Sequence, residues 1–192
     1  MHRGHALQAA AAVGAALALS GCIGGVVVDE PVYEQHYVDG ELEYAARSGE
    51  LRTNVYGTPF AAAADRVAAV TTADMKGANR GPEITFTPTP KVNGSEGYHV
   101  VMLFSPVRGV TAYDICQAGD GSGHAAAPES GRVRLLSAFC FNDTLVSTAG
   151  GTVAGATGLE DPRFRSLVRQ VTLSLFPGHD RKDRGDGGDA VP

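Results

Sequence analysis

Seven consecutive residues near the middle of the chain, Tyr98-His99-Val100-Val101-Met102-Leu103-Phe104, leave little choice of architecture. In an extended strand, successive side chains point to opposite faces. Tyr98, Val100, Met102 and Phe104 then share one face, and His99, Val101 and Leu103 the other. Both faces are apolar, so both need cover from water, which predicts a central strand with a packing layer on either side. Ser105-Pro106 ends it, because proline has no N–H to continue the pairing.

The remaining elements are read outward from that strand. Val133 to Phe141 is a second strong strand. Asn142-Asp143 is a turn pair that tolerates positive φ, and Thr144 to Val153 returns as the antiparallel partner. Glu41 to Ala45 and Leu51 to Tyr56 alternate polar and apolar residues, as half-buried strands do. Glu83 to Thr87 and Thr111 to Cys116 read as shorter extended pieces. Two segments read as helices. Thr58-Pro59 opens the first as N-cap and first-turn proline. Phe60, Ala63, Val67, Val70 and Asp74 follow at three- and four-residue steps, and Gly77 stops it. Asp161-Pro162 opens the second by the same grammar. Phe164, Leu167, Val168, Val171 and Leu175 form its apolar stripe, with Arg163, Arg165 and Arg169 away from it, and Pro177 ends it. The expected fold is α+β: a mainly antiparallel sheet of five to seven strands with two helices packed on it.

The first 22 residues set the destination of the chain. Arg3 supplies a positive start, Ala6 to Leu19 an apolar run broken only by Gln8, and Ser20-Gly21 the small residues before Cys22. That is the layout of an export signal. The run is shorter than the roughly 20 residues that span a bilayer. Leu19-Ser20-Gly21-Cys22 resembles the lipobox of bacterial lipoproteins. The resemblance implies a diacylglyceryl group on the Cys22 thiol, cleavage before Cys22 and acylation of the new amine. Two or more acyl chains hold a protein stably on a membrane. Ile23 follows the cysteine where some bacterial groups place an inner-membrane retention Asp, which leans the expected location to the outer membrane, facing the periplasm. The chain then divides into a signal (1–21), lipidated cysteine and tether (22–40), α+β domain (41–177) and polar tail (178–192). Within the tether, Val26-Val27-Val28 reads as a short edge strand before Pro31, and Tyr33 and Tyr37 as aromatics packing on their own domain. Phe139-Cys140-Phe141-Asn142-Asp143 and Leu175-Phe176-Pro177 also resemble segments of a group of uncharacterised bacterial envelope lipoproteins, which brings no activity with it.

Removing 1–21 takes away Arg3 alone of the 37 charged residues, leaving 15 basic against 21 acidic, a formal charge of −6. No basic patch is visible in sequence, which argues against a nucleic-acid partner and against electrostatic docking to anionic lipid. Cys116 and Cys140 remain as an even pair in an exported chain, where disulfides persist. A two-cysteine metal site is the competing reading, and His124 is the only histidine between them.

Three side chains are candidates for acid–base or nucleophile-activating chemistry: His99 in the central strand, and Asp120 and His124 in a Gly/Ser-rich loop. Gly119-Asp120-Gly121-Ser122-Gly123-His124 lacks both flanking glycines of a nucleophile elbow. It offers one carboxylate where a calcium loop needs several oxygen ligands. The Asp180, Asp183, Asp186 and Asp189 series, interleaved with basic residues, reads as a solvated tail. With no catalytic constellation and no cofactor motif, the expectation is a lipid-anchored, non-catalytic envelope protein that binds a protein partner or supports assembly. The alternative is a lipid-anchored small-ligand binder, with room left by the alanine-rich first helix. A hydrolase is the remotest of the three.

Overall fold

The computed structural model describes residues 25–91, 96–118 and 121–177. In chain order the strands are β1 (Val26–Val28), β2 (Val32–Tyr33), β3 (Glu50–Tyr56), β4 (Thr85–Thr87), β5 (Tyr98–Phe104), β6 (Arg132–Phe141) and β7 (Thr144–Ala154). The α-helices are α1 (Glu41–Ala45), α2 (Ala64–Met75), α3 (Ala112–Gln117) and α4 (Pro162–Leu175), and a 3-10 turn covers Gly121–His124.

One sheet contains all seven strands, in the order β1-β7-β6-β5-β3-β4, with β2 pairing β7. β5 is interior, as its two apolar faces require. It runs antiparallel to β6 and parallel to β3, and β3 is also parallel to β4. The β6–β7 and β7–β1 pairings are antiparallel, so the sheet is mixed but mostly antiparallel. The Asn142-Asp143 turn is where the sequence puts it, with Asn142 at φ 51.

The expected tether is bonded to the sheet from Val26 onward. Val26 pairs with Val153 and Val32 with Thr148, so β1 and β2 form one interrupted edge strand along β7. Asp29 N–H donates to the Gly150 carbonyl across the interruption at 2.9 Å. Tyr33 and Tyr37 meet edge to face at 5.9 Å, and the Tyr33 hydroxyl donates to the Ser174 carbonyl at 2.6 Å.

The two faces are covered differently. α2 and α4 lie on one, over a core that includes Phe86, Phe104, Phe139, Phe164 and Phe176. Gly151 lets α4 approach: a Cβ there would stand 2.7 Å from the Val27 carbonyl oxygen and 3.0 Å from Leu167 Cδ1. α3 covers part of the other face, over Val101, Leu103, Ala138 and Leu145.

Four helices replace the two expected, and three readings need correction. Glu41 to Ala45 is a helix, not a strand. Leu42 and Ala45 are buried side by side, and the Glu41 carboxylate accepts from Val38 N–H at 3.1 Å and Tyr98 OH at 3.0 Å. A single helical turn satisfies both contacts, and alternation over five residues cannot exclude it. Thr111 to Cys116 is also helical. Thr111 and Asp114 form a reciprocal capping box, and Ala112, Ile115 and Cys116 are buried. The first long helix does not open at Thr58-Pro59. Its N-cap is Ala63: Pro59 is buried and Phe60 is drawn against Phe164 at 5.4 Å, so the chain bends through 59–62, where Ala62 N–H donates to the Phe60 carbonyl, and turns helical only at Ala64. Asp161 does cap α4, accepting from Arg163 N–H.

Candidate functional site

α2 presents Thr71 and Asp74 on one face, and α4 presents Arg165 and Arg169 one turn apart. Three- and four-residue spacing makes each pair neighbours. Where the helices meet, Arg165 Nε donates to Asp74 Oδ1 at 2.8 Å. Arg169 Nη1 makes a long contact with the Asp74 carbonyl oxygen at 3.5 Å. Asp74 is 4% exposed, and the Arg165 side chain is half exposed. Asp74 Oδ2, Thr71 Oγ1 and Asn79 Oδ1 are buried without a hydrogen-bond partner among the described residues. The carboxylate therefore positions Arg165 while one of its own oxygens stays unpaired.

Beside this pair opens a groove of about 530 Å³ lined by Asn79, Pro162, Arg165, Ser166, Arg169 and Leu173, among others. That size suits a small ligand. Guanidinium donors at its wall suit a carboxylate or phosphate. The Ser166 hydroxyl accepts from Gln170 Nε2 at 2.8 Å, so it faces an amide and not a base.

The sequence-derived candidates do not assemble around it. His99 Nδ1 lies 3.2 Å from the Gly97 carbonyl oxygen, which fixes Nδ1 as the protonated nitrogen. Burial pushes the His99 pKa down, and Arg52 beside it pushes the same way against the Gly97 bond. The Gly97 carbonyl orients the ring, but no carboxylate among the described residues stands behind it to stabilise an imidazolium. His124 ends the 3-10 turn. Asp114 nearby is held low mainly by Thr111, with His124 a small contributor. Asp120 lies outside the described residues, as do Cys22 and the 178–192 tail. No cluster of three or more His, Cys, Asp or Glu side chains suits a metal among the described residues. No helix among them is long and apolar enough to cross a membrane.

Cys116 and Cys140 are joined, with Cα atoms 5.7 Å apart. The bond ties α3 to β6 on the thinly covered face. Further along that face, towards β1, side chains meet solvent. Val27 is 60% exposed, Val32 54% and Tyr113 51%. The Tyr113 hydroxyl donates to Glu34 Oε1, which draws α3 towards the edge strand and raises the Tyr113 pKa. Sequence reasoning marked Val26 to Val28 as an edge strand but not this patch. It also missed the Asp74 pair. Its signal was an acid within an apolar stripe, opposite a helix whose arginines recur at four-residue spacing.

No protein-family model and no curated protein matches the chain. Among solved structures, two forms of the PelC dodecamer from Paraburkholderia phytofirmans are similar. One, a single-substitution variant, is 13% identical over 81% of this chain and 100% of that chain, with a TM-score of 0.42. The other is 15% identical over 81% of this chain and 99% of that chain, also at 0.42.

Proposed function

We propose that the chain is a lipid-anchored, non-catalytic module of the bacterial cell envelope that binds a protein partner. The observation that carries this reading is the set of exposed apolar side chains at one sheet edge, Val27 on β1 and Val32 on β2, with Tyr113 of α3 joined to that edge through Glu34. Exposed apolar side chains gathered at one edge are costly in water and favour an interaction site there. The export signal ending in Leu19-Ser20-Gly21-Cys22 supports placement in the envelope, outer membrane and periplasmic face. The Cys116–Cys140 bond belongs to an oxidising compartment. His99, with burial and Arg52 pushing its pKa down and no carboxylate partner among the described residues, supports the non-catalytic part.

Complementation of a deletion strain tests it. Cys22→Ala blocks lipid transfer and fails to complement, and a palmitate label seen on the parent is missing from this variant. Val27→Asp with Val32→Asp stays folded and membrane-bound yet fails to complement. His99→Ala, Asp120→Ala and His124→Ala each complement. A folded, correctly localised His99 or His124 variant that fails would replace this reading with chemistry at those side chains. The groove at Arg165 and Arg169 favours the second reading, an anchored small-ligand binder. Under that reading Arg165→Ala, and not the edge substitutions, abolishes complementation.

A further inference from the structure

We infer that the end of the sheet where β1 begins is a membrane-facing surface whose Arg108–Arg134 cleft takes the phosphate headgroups of anionic lipids. This deepens the anchored reading and rests on an acylated Cys22. Only Ile23, Gly24 and Gly25 separate Cys22 from Val26. Four peptide steps reach at most about 14 Å. An acylated Cys22 therefore holds the start of β1 close to the headgroups, which leaves the domain no freedom to hang away from the bilayer.

Strand register shows what else lies at that end. Val26 pairs with Val153, Val153 with Val133, and Ala154 with Arg132. Ser105 N–H donates to the Arg134 carbonyl at 3.0 Å, which brings the end of β5 level with the start of β6. The loops beyond β5, β6 and β7 at this end thus face the same way as the anchor.

Most charges at this end are paired, and Asp65 adds a carboxylate in the first turn of α2. Arg66 is paired with Glu160 at 3.2 Å, Arg132 with Glu129 at 4.0 Å and Arg163 with Asp161 at 2.8 Å. Arg108 and Arg134 have no carboxylate partner among the described residues. Arg134 makes only a 3.4 Å contact, to the Pro106 carbonyl. Both line a cleft of about 390 Å³ with Ser105, Pro106, Ala126 and Glu129. The sequence, with its net negative charge, argues against anionic lipid; what it does not show is that the fold brings these two guanidiniums to one cleft. Guanidinium donors match phosphate oxygens in pairs, and an anionic leaflet attracts each such group.

The test uses the full mature protein in vesicles of neutral phosphatidylcholine, with or without anionic phosphatidylglycerol. Arginine modification by phenylglyoxal is followed residue by residue by mass spectrometry, which also reports acylation of Cys22. Arg108 and Arg134 are expected to react about fivefold more slowly in anionic vesicles than in neutral ones. Arg47 and Arg80, beside the opposite ends of β3 and β4, should not change. Equal reactivity in both vesicles with Cys22 acylated overturns the inference and leaves the anchor standing. An unmodified Cys22 overturns both. Equal protection by inorganic phosphate in detergent also overturns it, since the cleft would then be a site for a free anion.

Discussion

The two faces of the sheet solve the same problem with different means. Under α2 and α4, aromatic rings carry the packing: Phe164 meets Phe60 at 5.4 Å and Phe104 at 5.5 Å, and Phe139 meets Phe176 at 5.4 Å. Under α3 the buried side chains are aliphatic or smaller, and the helix has six residues. So short a helix does not hold its own shape in water. A capping box fixes its start, and the Cys116–Cys140 bond fixes its end. The difference teaches that covalent linkage sits where apolar burial is thin.

Substitutions can break or sharpen that contrast. The largest effect is expected on the thick face. Phe164→Ala removes a fully buried ring and should cost about 3–5 kcal/mol in urea unfolding. A loss below about 1 kcal/mol would mean that α4 is not the main source of cohesion.

On the thin face, Cys116→Ala with Cys140→Ala should cost about 3.5 kcal/mol, the chain-entropy value for a loop of this length. The cysteines are 24 positions apart. Hydrogen exchange sharpens the comparison: amides of α3 should lose protection while those of α4 keep theirs. Uniform loss across both helices would show that the bond supports the whole sheet.

Gly151→Ala returns to the thick face, at a glycine packed against α4. The new methyl would meet the Val27 carbonyl oxygen at 2.7 Å and Val171 Cγ2 at 3.2 Å. Overpacking of this kind should cost about 2 kcal/mol, seen as a lower urea midpoint. An unchanged midpoint would show that β1 and α4 both give way freely.

Smallest is the loss of the α4 cap. Asp161→Ala should cost about 1 kcal/mol. Hydrogen bonds from Arg163 hold the Asp161 carboxyl far below the usual carboxylate range. A depressed folded pKa stabilises the native state above the ordinary value of about 4 and loses that contribution as pH falls through the folded value. The substitution should therefore matter at pH 7 and fade in strong acid. An equal difference at both pH values would point to packing, not to the charge.

Much of this plan is legible before any coordinates. Two-faced burial of β5, the β6–β7 hairpin and the Asp-Pro start of α4 each rest on a local signal that the tertiary structure leaves intact. The failures have physical causes too. Five residues at Glu41 to Ala45 satisfy strand and helix periodicity alike, and a distant tyrosine, Tyr98, helps decide between them. Burial and the Glu41 contact in turn push the Tyr98 pKa up to about 12. Thr111-Ala112-Tyr113-Asp114 carried a capping box, though with Asp in place of the commoner Glu. Thr58-Pro59 had sound start chemistry, yet the attraction of Phe60 for Phe164, remote in sequence, overrode it. The groove by Asp74 needs two helices to be side by side, and nothing in either alone declares that.

The pairing of β1 with β7 also governs the order of events as the chain acquires its structure. β7 exposes a row of unused backbone donors and acceptors on its outer side until the opposite end of the described chain comes to meet it. Contacts so remote in sequence form slowly, because the entropy of closing the intervening loop must be overcome before any bond forms. Val26 to Tyr33 pair with residues more than 110 positions away, so they are expected to join the sheet late. In the interval β7 is a template for any extended segment nearby, including the same segment of another copy. Crowding of newly made chains is thus the condition under which this protein is most prone to mispair.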